Sequence, residues 1–232
     1  MKIFKIFSRP GLNDFGRPEL AKSLVPEWYR KSENTFVLDN DPEKREYAGL
    51  KKCVPFLDAL VSGYMLTIPV DIYVTKGEDG NPRFSWNGPQ QLNNFIDERS
   101  QQLGAIMPRP AGHYPNHLVF SGFWGYKTPR GWSSLVVHPL NRFDLPFTIS
   151  SAIVDSDDFN SPGNVPFFLK EGFEGTIPAG TPFAQIIPIK RSSWMLVDDT
   201  TGMADTEKIQ ATLVRKPDTL YKKIYWRKKD YK

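Results

Sequence analysis

The sequence predicts a mainly β fold, a sandwich or barrel with short helices toward its N-terminal end, and three observations lead there. Beyond His117 the apolar segments are short and recur about every ten residues: HLVFSGFW, SSLVVH, FTISSAIV, VPFFL, PFAQIIPI, WMLV and IQATLV, separated by Gly, Pro, Asn or Asp. Twenty prolines and 17 glycines among 232 residues punctuate the chain too often for long helices, which argues against a helical bundle. The β-branched and aromatic stretch TIPVDIYVT ends at KGEDGNP, whose residues favour a hairpin turn, so strands begin near Tyr64 and RFSW returns as the partner.

The elements follow in order. ELAKSLVPEWYRKS reads as short helical pieces broken by Pro26. DPEKREYAGLKK carries helix signals: Asp41 as a cap, Pro42 at the first position, Glu43 and Glu46 near the start, Lys51 and Lys52 near the end. PFLDALVSG reads as a second short helix, opened by Pro55 and stopped by Gly63. QQLNNFIDERSQQLG keeps roughly helical spacing at Leu92, Phe95, Ile96 and Leu103 and reads as one helix or a covering loop. These elements divide into an arm with short helices over 1–62 that packs on the main domain, a β domain over 63–200, and a basic, aromatic extension over 201–232.

Composition bounds the function classes. With 40% hydrophobic and 24% charged residues, mean hydropathy −0.43 and no apolar run near the ~18 residues of a membrane span, the chain reads as soluble. The opening MKIFKIF lacks the apolar core and cleavage site of a signal peptide. The lone Cys53 cannot form an internal disulfide, which fits a reducing compartment. From Arg215 to Lys232 eight positive residues face two negative ones, so this stretch carries +6 and the remainder about −2. Its residues Lys222, Lys223, Tyr225, Trp226, Arg227, Lys228 and Lys229 mix cations with aromatic rings, a combination that can hold phosphates and stack on bases or anchor a protein partner.

The step Ile153-Val154-Asp155-Ser156-Asp157, followed after about twenty residues by Ile177-Pro178-Ala179-Gly180-Thr181-Pro182-Phe183-Ala184-Gln185, resembles the trimeric dUTPases and dCTP deaminases over about residues 128–191. In that family an (I/V)-D-x-D turn precedes an I-x-x-G-x-x-(I/F)-A-Q strand. The resemblance implies a dUTPase-like jelly-roll or barrel of the β-clip type and a homotrimer. It also implies a water-activating role for Asp155, a Mg²⁺ held by Asp155 and Asp157, and a nucleotide near Arg142, Gln185 and Phe159. The chain departs from the pattern at several places. Pro139-Leu140-Asn141-Arg142 stands where the Arg-Ser-Gly phosphate signature belongs, Met65 where an aspartate belongs, and Asp158 with Phe159 where a tyrosine shapes the sugar pocket. The glycine-rich C-terminal arm has no counterpart in TLYKKIYWRKKDYK. PEWYRKS, LKKCVPFLDALVSGYMLTIPVDIYV and the HPLNR step also resemble a group of proteins from tailed bacteriophages and aquatic bacteria, from which no activity carries over.

These departures favour a non-enzymatic phage structural or assembly protein that needs no cofactor, located in the virion or host cytoplasm, with other virion proteins or nucleic acid as further partners. The alternative is a Mg²⁺-dependent nucleotide hydrolase or deaminase-like enzyme, or a nucleotide-binding protein, of altered specificity. Against both stands a bland account of the same residues, an aspartate-rich turn bonding its own backbone. His113, His117 and His138 make a three-histidine zinc site arithmetically possible, but Pro115 between the first two disfavours a shared helix face, and independent structural histidines are expected. Cys53 reads as a small apolar residue.

Overall fold

The computed structural model describes residues 2–199, 202–215 and 221–232. Strands dominate it. In chain order they are β1 (Lys5–Ser8), β2 (Glu19–Leu20), β3 (Thr35–Val37), β4 (Glu46–Ala48), β5 (Tyr64–Thr67), β6 (Ile72–Lys76), β7 (Pro82–Trp86) and β8 (Ile96–Glu98). They continue as β9 (Leu118–Phe120), β10 (Trp124–Lys127), β11 (Trp132–Val137), β12 (Phe147–Ile149), β13 (Ala152–Val154), β14 (Val165–Leu169), β15 (Gly175–Ile177) and β16 (Pro182–Lys190). The α-helices among the described residues are α1 (Glu27–Lys31), α2 (Val54–Val61), α3 (Gln101–Ile106) and α4 (Met203–Arg215).

The chain divides into two compact units. The first joins the residues up to Leu24 with Gly63–Arg191 and holds an antiparallel five-stranded sheet in the order β13-β11-β16-β5-β2. It also holds a four-stranded sheet β12-β14-β9-β8, a three-stranded sheet β15-β6-β7 and the pair β1-β10. The fold is therefore mainly β, but every sheet is open and none closes into a barrel. The N-terminal arm enters this unit as a strand, Lys5 to Ser8 pairing with Lys127 to Trp124. The second unit joins Val25–Ser62 with the chain beyond Arg191 and contains the β3-β4 pair, α1, α2 and α4.

Apolar residues on both faces make β9 and β16 core strands, the three residues of β9 and the first five of β16 being buried. Phe120 and Phe167 stack at 3.9 Å, and Phe95, Phe147 and Phe183 pack edge-on or tilted around them. Each such ring contributes about 1.5–3 kcal/mol by leaving water. The β6–β7 hairpin turns where the sequence predicts, with Gly80 at φ +79° and the Asp79 carboxylate accepting from the Asn81 N–H at 3.1 Å. Gly63 has no substitute at the start of β5: its φ is +75°, and a Cβ there would lie 2.1 Å from the Ile186 carbonyl oxygen.

Five expected elements differ. DPEKREYAGLKK is not a helix: Asp41 gathers the N–H groups of Glu43 and Arg45, the Arg45 guanidinium and the Tyr47 hydroxyl into a turn. Lys44 there takes a positive φ of 50°, and Glu46–Ala48 leaves as a strand. QQLNNFIDERSQQLG splits into a short 3₁₀ turn, β8 and α3, because residues 96–98 pair with β9. FTISSAIV is two strands in two different sheets. WMLV forms no strand, and IQATLV lies in α4, whose sequence MADTEKIQATLVR is rich in helix formers. The boundary expected at 200/201 and residues Lys216, Asp218 and Leu220 of the basic stretch lie outside the described residues.

Candidate functional site

The acidic turn follows β13 directly. Register along β11 places Ser134 opposite Val154 and Trp132 opposite Lys190, so the turn, the start of β11 and Arg191 just after β16 converge. Asp157 is buried. Its carboxylate accepts two bonds from the Arg191 guanidinium, Nη1 to Oδ1 at 2.8 Å and Nη2 to Oδ2, and a third from the Gly131 N–H at 2.8 Å. The guanidinium, with the backbone N–H second, holds this carboxyl well below the usual carboxylate range, and Asp157 in turn raises Arg191. Asp155 is exposed, accepting from the Ser133 hydroxyl at 2.7 Å and from Arg191 at 3.2 Å. Between them Ser156 turns inward, fully buried, and shares hydroxyl bonds with Thr128 and Ser134 at 2.8 and 2.7 Å.

This pair of aspartates does not suit a divalent cation. Both Asp157 oxygens already face a permanent positive charge, and the same guanidinium reaches Asp155, so a metal would have to displace a charge-assisted bidentate contact. Among the described residues no three His, Cys, Asp or Glu side chains form a metal-binding group. Phe159 belongs to the same turn, its N–H donating to the Asp155 carbonyl at 2.8 Å, with its ring 59% exposed.

Arg142 and Gln185 lie at the other end of β11. Gln185 is fully buried opposite Val137, and its amide oxygen accepts the Leu140 N–H at 2.8 Å, fastening the Pro139–Arg142 turn to β16. Asn141 in that turn has φ +59°, a conformation asparagine tolerates better than most residues. The Arg142 guanidinium forks onto Asp144 at 2.9–3.2 Å, and the Arg142 carbonyl meets His138 Nε2 at 3.1 Å. From Ser133 to Val137 is roughly 13 Å at ~3.3 Å per strand residue. The sequence-predicted residues therefore form two separate groups, Asp155, Asp157 and Phe159 at one end and Arg142 and Gln185 at the other. Arg191 and the Thr128–Ser156–Ser134 hydroxyl chain were not among the residues expected from sequence; the only cue was a basic residue just after the strand that carries Gln185.

The three histidines stand apart. His113 bonds the Ala111 carbonyl and the Thr148 hydroxyl, each at 3.0 Å, while His117 is buried and stacks on Phe168. Burial lowers the protonation of His117, with Arg99 adding to it, and burial likewise lowers His138.

In the second unit the basic extension is partly fastened to its own chain. Trp226 donates its indole N–H to Asp58 of α2 at 2.9 Å, and Lys229 reaches the same carboxylate oxygen at 2.5 Å, which raises the lysine. Arg227 folds back on the Ile224 and Trp226 carbonyls. Lys222 lines a cavity of about 500 Å³ with Tyr221, Lys52 and Cys53. The thiol is exposed rather than packed as a core residue. Lys222, Lys223, Tyr225 and Lys228 remain at the surface.

No family model matches the chain, and no curated protein matches it.

Proposed function

We propose that this protein is a non-catalytic assembly protein that joins copies of itself, and in a phage setting other virion proteins, on a dUTPase-like jelly-roll scaffold. The observation that carries this is the run Trp194–Val197. The four side chains are 91, 84, 100 and 65% exposed, in a segment without helix or strand directly after β16 and Arg191. Four consecutive large apolar residues held in water are a liability unless something covers them. A second copy of the chain is the occupant the trimeric resemblance favours.

The acidic turn supports the same conclusion. Asp157 is closed on Arg191, the same guanidinium reaches one oxygen of Asp155, and Arg142 and Gln185 lie at the far end of β11 from both aspartates.

Light scattering across a concentration series tests the proposal. The wild-type chain is expected at a multiple of its monomer mass, three chains by the resemblance, and Trp194→Ser with Leu196→Ser is expected to return it to the monomer without lowering helix or strand signal. A monomeric wild type, or an assembly untouched by both substitutions, overturns the proposal. Turnover of any deoxynucleoside triphosphate that Asp155→Asn abolishes would replace it with the enzymatic alternative.

A further inference from the structure

A cavity of about 450 Å³ opens in the first unit beside the edge strand β8, between α3 and the segment 107–117. Its volume lies in the range of small-molecule sites. Of the five buried side-chain polar atoms without a hydrogen-bond partner among the described residues, three belong to Asn116 and His117 in its wall. Arg99 is half-buried and makes no ion pair with a described residue. Arg109 donates to the His113 carbonyl at 2.9 Å and stands 3.5 Å from Glu171, a long contact for an ion pair that leaves most of its fork unused.

Opposite in character is the acceptor side. Asn116 gives its amide N–H to Glu98 at 2.7 Å, while its amide oxygen is buried without a partner among the described residues. His117 is 4% exposed, and neither ring nitrogen has a described partner. Phe168 stacks on the ring, and burial, with the Arg99 charge second, favours its neutral form, with one donor and one acceptor nitrogen. Buried polar atoms in native proteins are nearly always satisfied, so this grouping points to a molecule that satisfies them.

We propose that this cavity binds a small phosphate monoester carrying hydroxyl groups, the phosphate taken by Arg99 and Arg109 and the hydroxyls by Glu98, Asn116 and His117. Two guanidinium groups, one with no ion-pair partner among the described residues and one loosely paired, match a dianion better than a single carboxylate does, and planar guanidinium forks fit phosphate oxygens. Glu98, the Asn116 oxygen and one ring nitrogen of His117 are acceptors, so the ligand must bring donors, which hydroxyls supply. The site is independent of the assembly run at 194–197.

Calorimetric and thermal-shift titration of the full chain with glucose 6-phosphate, inorganic phosphate, glucose and sulfate tests this. Glucose 6-phosphate is expected to saturate with a Kd at least about tenfold below that of inorganic phosphate, and glucose alone to give no response. Arg99→Gln, at a half-buried position that tolerates a polar side chain, is expected to weaken binding about tenfold or more while melting like the wild type in the absence of ligand. The ring nitrogen NMR signals of His117 are expected to shift with glucose 6-phosphate while those of His138 stay in place. An equal response to sulfate and glucose 6-phosphate, no response to any probe, or binding unchanged in Arg99→Gln overturns the proposal. None of these outcomes alters the scattering mass on which the assembly function is judged.

Discussion

The two ends of β11 solve the same problem by different means. At each, a turn must be fastened to the end of a strand in the five-stranded sheet. At the Ser133 end the fastening is ionic, Arg191 gripping Asp157 with Gly131 donating alongside. At the Val137 end it is neutral, the buried Gln185 amide accepting the Leu140 N–H. A neutral clasp asks only for the right length of side chain. The ionic one needs both charges, and removing either leaves the other stranded, which is why motif-like aspartates need not mean chemistry.

Arg191→Met should produce the largest effect, because it leaves the buried Asp157 carboxylate without its counter-charge. Thermal melting should show a deep loss that Asp157→Asn in the same chain partly restores; a melt indistinguishable from wild type would mean the clasp contributes nothing. Gln185→Leu keeps the volume but orphans the Leu140 N–H, and denaturant unfolding should read a loss of about 1–3 kcal/mol. Asn141→Val should cost about 1–2 kcal/mol from its positive φ, with Asn141→Gly close to neutral. If both Asn141 substitutions cost the same, the turn is not held by its backbone geometry.

Acid titration separates the ends most gently. Burial lowers His138 from its ordinary 6.5, so in the folded state it resists the proton that the unfolded chain accepts. Stability present above that value is therefore lost as pH falls through it. Asp157 is lowered from 3.8, so its contribution is intact at neutral pH and disappears only as the pH drops below that ordinary value. Unfolding free energies measured across pH should show two declines, the upper made shallower by His138→Phe, with the share of His117 remaining, and the lower made shallower by Asp157→Asn. A single decline removed by either substitution would show that the two ends are one coupled unit.

Much of the β architecture is legible in the sequence, because alternating or continuous apolar runs bounded by Gly and Pro admit few other structures. TIPVDIYVT with KGEDGNP gives its hairpin, and PFAQIIPI its core strand. Where local signals misled, a side chain or a distant strand won. Asp41 has the chemistry of a helix cap and spends it on Arg45 and Tyr47, and residues 96–98 follow β9 instead of their helical spacing. The acidic turn could be located from sequence but its state could not, since its partner lies 34 residues beyond Asp157 in an ordinary-looking Lys-Arg step. The separation of Arg142 and Gln185 from Asp155 depends on strand register, which no motif encodes. Exposure of Trp194–Val197 was equally hidden, for an apolar run after a core strand reads like one more strand.

The placement of β16 also sets a timetable. It is the last strand among the described residues, yet it sits in the middle of its sheet, joining β11 on one side to β5 on the other. Until residues 182–190 leave the ribosome, the strand whose hydrogen bonds join β5 and its neighbour β2 to β11 and β13 is missing, although more than a hundred residues of intervening chain already exist. Pairing at such separation is slow, and waiting strand edges attract the wrong partners. A nascent chain stalled before β16 should therefore be sensitive to protease across β5, and a chaperone that shields apolar edges should raise the yield of full-length product more than it raises the stability of the finished fold.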